Sequence, residues 1–349
     1  RIIASLLNFS IKLALLLAAA ATILPSPGQI DSTKRELIQL GYNQAIEGHA
    51  PLSAYAFYYL NLPHFLRTNL TLRLAVAPVY LDSELGISQV LGPNTDLGVG
   101  IAGGGFAYSY NEIARGTYLP EESFIGHGGG ASASLYHRFN PRREIPLYGI
   151  ARAEFYEVFY ARDSRTAKGF ALPEDRGDFA VRTGLRYGGQ EPLISPDVAM
   201  ELSAWYETLV RTDSGRYGFG DRRIEPNSHL FWARGLLAYT LPELKHRFAV
   251  NLTLGTSMDA DRFSAYRLGG FLPLSGEFPL NLPGYYFQEL SARRFALIGG
   301  NYALPLDRKK LWTIHAQAAT AVLDYVSGLS ENNQWHSGVG GGFGYRSPS

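Results

Sequence analysis

The stretch Gly255-Thr256-Ser257-Met258-Asp259 sets a serine two residues after a glycine, which is how a hydrolase nucleophile elbow begins. In such an elbow the chain turns sharply from strand into helix, and the pattern G-x-S-x-G supplies a second glycine to permit the turn. Here that position is Asp259. A serine nucleophile also needs a base within reach. His315, in "LWTIHAQAAT", is the best candidate, although a lone strand histidine is more often a hydrogen-bonded structural residue. Asp259 and Asp261 could together offer carboxylates to a hard cation, yet two aspartates in a polar loop are usually just solvated. The chain is therefore read as a non-enzyme without cofactor or metal, and the elements around these residues decide what they do.

The 349 residues suffice for one large domain or two small ones. Lys+Arg of 32 against Asp+Glu of 31 leaves no basic excess to attract nucleic acid. With no cysteine, neither a disulfide scaffold nor a thiolate metal site is available. The chain opens with Arg1 and Lys12, then an apolar run, then small residues and prolines. This is the layout of a secretory signal peptide, assigned to residues 1–28, and its apolar core is shorter than a spanning helix needs. The first residue is arginine rather than methionine, so a fragment is expected. Residues 29–68 are expected to form a short helical hairpin, periplasmic or plugging a pore. Thr33 and Glu36 have the spacing of a capping box, and Pro63 would stop a second helix.

From residue 69 onward, segments of alternating character are separated by turns rich in Gly, Pro, Asn and Asp. In "RGDFAVRTGLRYGG", Phe179, Val181 and Leu185 fall opposite Arg182, Gly184 and Arg186. In "DVAMELSAWYETL", Met200, Leu202 and Ala204 oppose Glu201, Ser203 and Glu207, while Arg152 and Glu154 share a face in "LYGIARAEFYEVFYAR". A soluble sandwich also alternates. Against it stand the length of the candidate strands, the mixed charges on their polar faces, and aromatics near strand ends. Tight turns such as "NPRREIP", "PELKHR" and "PLDRKK" alternate with longer polar stretches, the largest at 258–292. That is the signature of an outer-membrane barrel, in which closure satisfies every backbone group in lipid. The expectation is all-β: a transmembrane antiparallel β-barrel of about 12 or more strands over 69–349, with 81–91 the least clear strand and closing strands missing from the fragment.

"RFSAYRLGGFLPLSGEFPLNLPGYYF" resembles the BamA/TamA family of outer-membrane barrels, also called bacterial surface antigens. The resemblance rests on Arg267, Leu268, Gly269 and Gly270, then Ser275 and Gly276, and on Gly299, Gly300 and Asn301 in the following strand. It implies that the 258–292 loop is the family's long sixth extracellular loop, folded back into the lumen. The family's loop motif carries an arginine that locks it to acidic residues of the wall, and Ser275 stands in its place. The lock is thus absent or supplied by another residue. Patatin-fused members can read Leu-Ser-Gly at this point. The 40 residues from 29 to 68 are too few for the family's periplasmic POTRA domains.

The resemblance implies a surface-antigen barrel acting in insertion or translocation at the bacterial outer membrane. Its partners would be the lipid bilayer and lipopolysaccharide, with client proteins or periplasmic partners, and no nucleic acid. A general diffusion channel is the alternative, and an outer-membrane lipid-modifying enzyme a weaker one. In a channel, the lumen-facing charges Arg152, Glu154, Arg182, Arg186, Glu201, Glu207 and Arg234 would set weak selectivity. The plainer role for those charges is bracing the wall by pairing.

Overall fold

The structure is a computed structural model and describes residues 30, 34–43, 53–189, 198–270, 280–307, 311–329 and 333–345. Fourteen wall strands follow one another in the described residues. They are β1 (Arg35–Asn43), β2 (Ser53–Pro63), β3 (Leu70–Ala77), β4 (Tyr80–Ile87), β5 (Thr95–Gly104), β6 (Phe124–Arg138) and β7 (Leu147–Arg162), continuing with β8 (Arg176–Gly188), β9 (Val198–Arg211), β10 (Asn227–Thr240), β11 (Arg247–Met258), β12 (Leu290–Pro305), β13 (Trp312–Tyr325) and β14 (Trp335–Tyr345). Each pairs antiparallel with the next in an up-and-down meander. Strands β6 and β7 have 15 and 16 residues, more than the roughly 9–11 that a tilted strand needs to cross a bilayer.

The side chains are sorted the opposite way from a water-soluble sheet. On β11, Phe248, Val250, Leu252 and Leu254 stand on the outer face and are about half exposed, whereas Thr253 and Ser257 on the other face are buried. On β9, Leu202 is 57% exposed while its neighbour Glu201 is 0% exposed. A buried carboxylate beside an exposed leucine is unfavourable in water and favourable when lipid covers the outer face. The wall is that of a transmembrane barrel.

Two sequence expectations change. The helical hairpin at 29–68 is not formed: β1 and β2 pair from Arg35↔Asn61 to Asn43↔Ser53, and β2 continues into β3. The wall begins at residue 35, not 69. Aromatic residues such as Phe57, Tyr58 and Tyr59 favour strand over helix, and the capping-box spacing was a local signal that long-range pairing overrides. Residues 81–91 do contain a strand, β4. The signal peptide at 1–28 lies outside the described residues.

Connections at one end of the sheet are short, as at 139–146, 241–246 and 306–311. At the other end, beyond the two-residue β3–β4 turn at 78–79, four are longer: 105–123, 163–175, 212–226 and 259–289. Counted from β1, the last of these is the sixth connection at its end. Its described residues, 259–270 and 280–289, pack inside the wall. At the loop end, Tyr110, Phe170, Tyr217 and Ile224 from the other loops and Phe124 at the start of β6 form a second buried cluster, against which Phe263 packs.

Candidate functional site

The chain leaves β11 through Asp259, whose φ of 54° is left-handed, a conformation aspartate tolerates better than most residues. The turn leads into a loop, not a helix, and the hydroxyl of Ser257 donates to the carbonyl of Arg293 at 2.7 Å. Gly255 serves a different need: a Cβ there would lie 2.2 Å from the ring of Phe295. The supposed elbow is a strand end shaped for packing.

Asp261 is buried, not solvated as the sequence led us to expect. Its carboxylate accepts from Arg211 at 2.6 and 3.3 Å, from the backbone N–H of Phe263, Ser264 and Glu225 at 2.9 Å each, and from the Ser264 hydroxyl at 3.0 Å. Its oxygens are taken by donors, and it belongs to no cluster of three or more His, Asp or Glu among the described residues. The next residue, Arg262, pairs with buried Glu112, which also meets Arg222 at 3.4 Å. Arg222 in turn pairs with Glu122. Burial disfavours charge on both guanidiniums. It lowers the Arg222 pKa, whereas at Arg262 the neighbouring Glu112 outweighs burial and holds the pKa above its usual value. These pairs anchor the root of the loop to β9 and to the β5–β6 and β9–β10 connections.

Below the root the loop follows the inner wall. Residues Tyr266–Gly269 pair antiparallel with the start of β12, from Tyr266↔Ala292 to Leu268↔Leu290, and Leu280–Asn281 lie parallel to Leu268–Gly269. Tyr266 donates its hydroxyl to the carbonyls of Phe231 and Thr256 at 2.9 and 3.0 Å. Leu268 and Leu282 are 0% exposed and share a cluster with the wall residues Trp205, Trp232, Leu297 and Leu323. Arg267 donates to the Gln288 carbonyl at 3.0 and 2.7 Å, and its guanidinium lies 4.9 Å from the Tyr110 ring centre. At Gly269 a Cβ would meet the Tyr286 carbonyl at 2.0 Å, so the glycine permits the fold-back, and Gly270 N–H donates to the same oxygen. The loop then reaches β14. A Cβ on Gly338 would lie 1.7 Å from the Pro283 carbonyl oxygen, and the Tyr285 hydroxyl sits 3.1 Å from Nδ1 of His336. Ser275 and Gly276 lie outside the described residues.

All seven lumen charges named from the sequence face inward. Arg152 contacts Glu154 on the same strand, Arg182 meets Glu207 at 2.6 Å, and Arg234 meets Glu201 at 2.8 Å. The Glu201 oxygen that takes Arg234 also accepts from Ser203 at 2.9 Å. Arg186 lies over the Tyr148 ring at 5.6 Å. Six of the seven are thus mutually neutralised. His315, on the inner face of β13, is not brought together with Ser257: that serine is committed to the Arg293 carbonyl.

Sequence reasoning missed the root pairs. Glu112 and Arg262 are 150 residues apart, and no local pattern joins them. The only hint was the density of charge beside an aromatic in "DADRF".

No protein-family model matches the sequence, and neither does any curated relative. Among solved structures, the fold is similar to BamA from Haemophilus ducreyi lacking POTRA domains 1–3, with TM-score 0.53 and 11% identity over 90% of this chain and 65% of that one. It is also similar to CdiB from Acinetobacter baumannii, with TM-score 0.54 and 10% identity over 90% of this chain and 60% of that one. The chain spans under two thirds of either structure. The fold is that of an outer-membrane β-barrel of the BamA and CdiB kind.

Proposed function

We propose that this barrel acts at the bacterial outer membrane in the insertion or translocation of polypeptides or lipids, with its sixth loop as the resident occupant of the lumen. The observation that carries the reading is the complete burial of Leu268 and Leu282 against Trp205, Trp232, Leu297 and Leu323. A loop bound only at the surface would not place leucines there. The position of the loop agrees with the family resemblance at Arg267, Leu268, Gly269 and Gly270, and the fold agrees with BamA and CdiB. The missing tip arginine is replaced by a lock at the root, where Asp261 binds Arg211 and Arg262 binds Glu112. A diffusion channel is less well supported, because paired lumen charges leave little net field to select ions.

Proteoliposomes holding the chain would be offered an unfolded outer-membrane barrel and, in parallel, an unfolded secreted polypeptide. Faster folding of the first, or protease-protected passage of the second, is the expected result. Both rates equal to those of empty liposomes, together with a large steady ion conductance, would favour the diffusion channel.

A further inference from the structure

The lipid-facing wall is not uniformly bulky. Two cross-strand rows run across β6 to β9: Leu135, Ala151, Thr183 and Tyr206 in one, and His137, Gly149, Leu185 and Ala204 in the other. At their centre lie Gly149, Ala151, Thr183 and Ala204, whose short side chains leave an apolar depression of about 680 Å³. Phe139 closes its lower edge, its ring 2.7 Å from where a Cβ on Gly149 would stand. His137 forms part of the same rim and is fixed by a 2.8 Å hydrogen bond to the hydroxyl of Thr95.

Immediately after Phe139 comes the turn Asn140-Pro141-Arg142-Arg143. It is held rigid. Asn140 accepts from the Leu147 N–H at 2.7 Å and donates to the Ile145 carbonyl at 3.0 Å, while Arg138 donates to the Arg143 carbonyl at 2.6 Å. Arg142 and Arg143 are exposed, and among the described residues neither is in an ion pair. Two free guanidiniums therefore sit at the membrane edge just below an apolar groove. Short turns mark the periplasmic end of such barrels, where the facing leaflet is made of phospholipid.

We propose that this groove is a binding site for an anionic glycerophospholipid of the periplasmic leaflet. One acyl chain lies along Ala151, Thr183 and Ala204, above the Phe139 ring that covers Gly149, and the headgroup phosphate meets Arg142 and Arg143. Hydrocarbon fits the depression because it is apolar and opens to the bilayer. An arginine fork suits phosphate oxygens and is less tightly hydrated than lysine. Each basic group near the surface should raise the preference for an anionic lipid by about fivefold. The proposal concerns the outer face and stands independently of the role of the lumen loop.

The test is native mass spectrometry of the full chain released from nanodiscs containing equal amounts of phosphatidylglycerol and phosphatidylcholine. The variants are Arg142→Ala/Arg143→Ala, which removes the phosphate contacts, and Ala151→Leu/Ala204→Leu, which fills the groove. Heat-modifiable mobility on gels confirms that each is folded, and Ala204→Leu alone replaces the groove variant if the double change does not fold. The expected result is retained phosphatidylglycerol in excess over phosphatidylcholine in the wild type, a preference that falls at least about fivefold in the arginine variant, with less phosphatidylglycerol retained by the groove variant than by the wild type. Equal retention of the two lipids by the wild type, or wild-type retention in either variant, would overturn the site.

Discussion

Arg211 of β9 and Asp261 of the inward loop form a two-contact ion pair, 2.6 and 3.3 Å long, with both side chains buried. They stand 50 residues apart in the chain, and their contact fixes where the loop enters the lumen.

Removing one partner of this pair leaves the other charge buried and unpaired, at a cost of about 3–5 kcal/mol. Asp261→Ala also strips the acceptor from three backbone N–H groups. The expected outcome is a lower midpoint for heat-modifiable unfolding, with the loop cut first in limited proteolysis. Asp261→Asn should be milder, since its side-chain oxygen still accepts. If Asp261→Ala left both readouts at wild type, Asp261 would not anchor the loop.

Two glycines on the inner face of β14 make a matched pair. A side chain on Gly338 would run into the Pro283 carbonyl, whereas nothing lies within 4 Å of the Cβ position on Gly342. Gly338→Val should expel the segment around Pro283 and Tyr285 and raise its susceptibility to protease. Gly342→Val should leave the cleavage pattern as it was.

The lumen charges are expected to brace the wall more than to select ions. In the double variant Arg182→Gln/Glu207→Gln the net charge is unchanged, and the reversal potential in a salt gradient should be too. Glu201→Ala, by contrast, removes the buried carboxylate that pairs with Arg234 and should destabilise the barrel by about 3–5 kcal/mol. A reversal-potential shift in the neutral double variant would restore a selectivity role.

Ser257 offers a direct answer to whether the Gly255-Thr256-Ser257 stretch is catalytic. Its hydroxyl donates to the Arg293 carbonyl, so Ser257→Ala should cost about 1 kcal/mol of stability. Insertion, translocation and conductance should all be unaffected, and no labelling of Ser257 by a serine-directed fluorophosphonate is expected in the wild type.

Strands β7 to β9 were legible because each carries its own alternation, and lipid on one side makes that alternation sharp. The first two strands were not, because Thr33, Glu36 and Pro63 give helix-like local cues while the pairing that decides the matter joins residues such as Arg35 and Asn61. The inward loop could be read from Arg267 to Gly270, and the ion pairs of the lumen from their parity along each strand. Its root could not. Asp261 looks like an ordinary loop aspartate until β9 brings Arg211 against it, and Glu112 has no local feature that points to Arg262.

The central claim is that the sixth loop occupies the lumen. Single-channel conductance of the full-length protein in planar bilayers, compared with a variant lacking residues 265–283, tests it most directly. A small, flickering conductance that rises on deletion is the expected result. A large, steady conductance that the deletion does not change would contradict it.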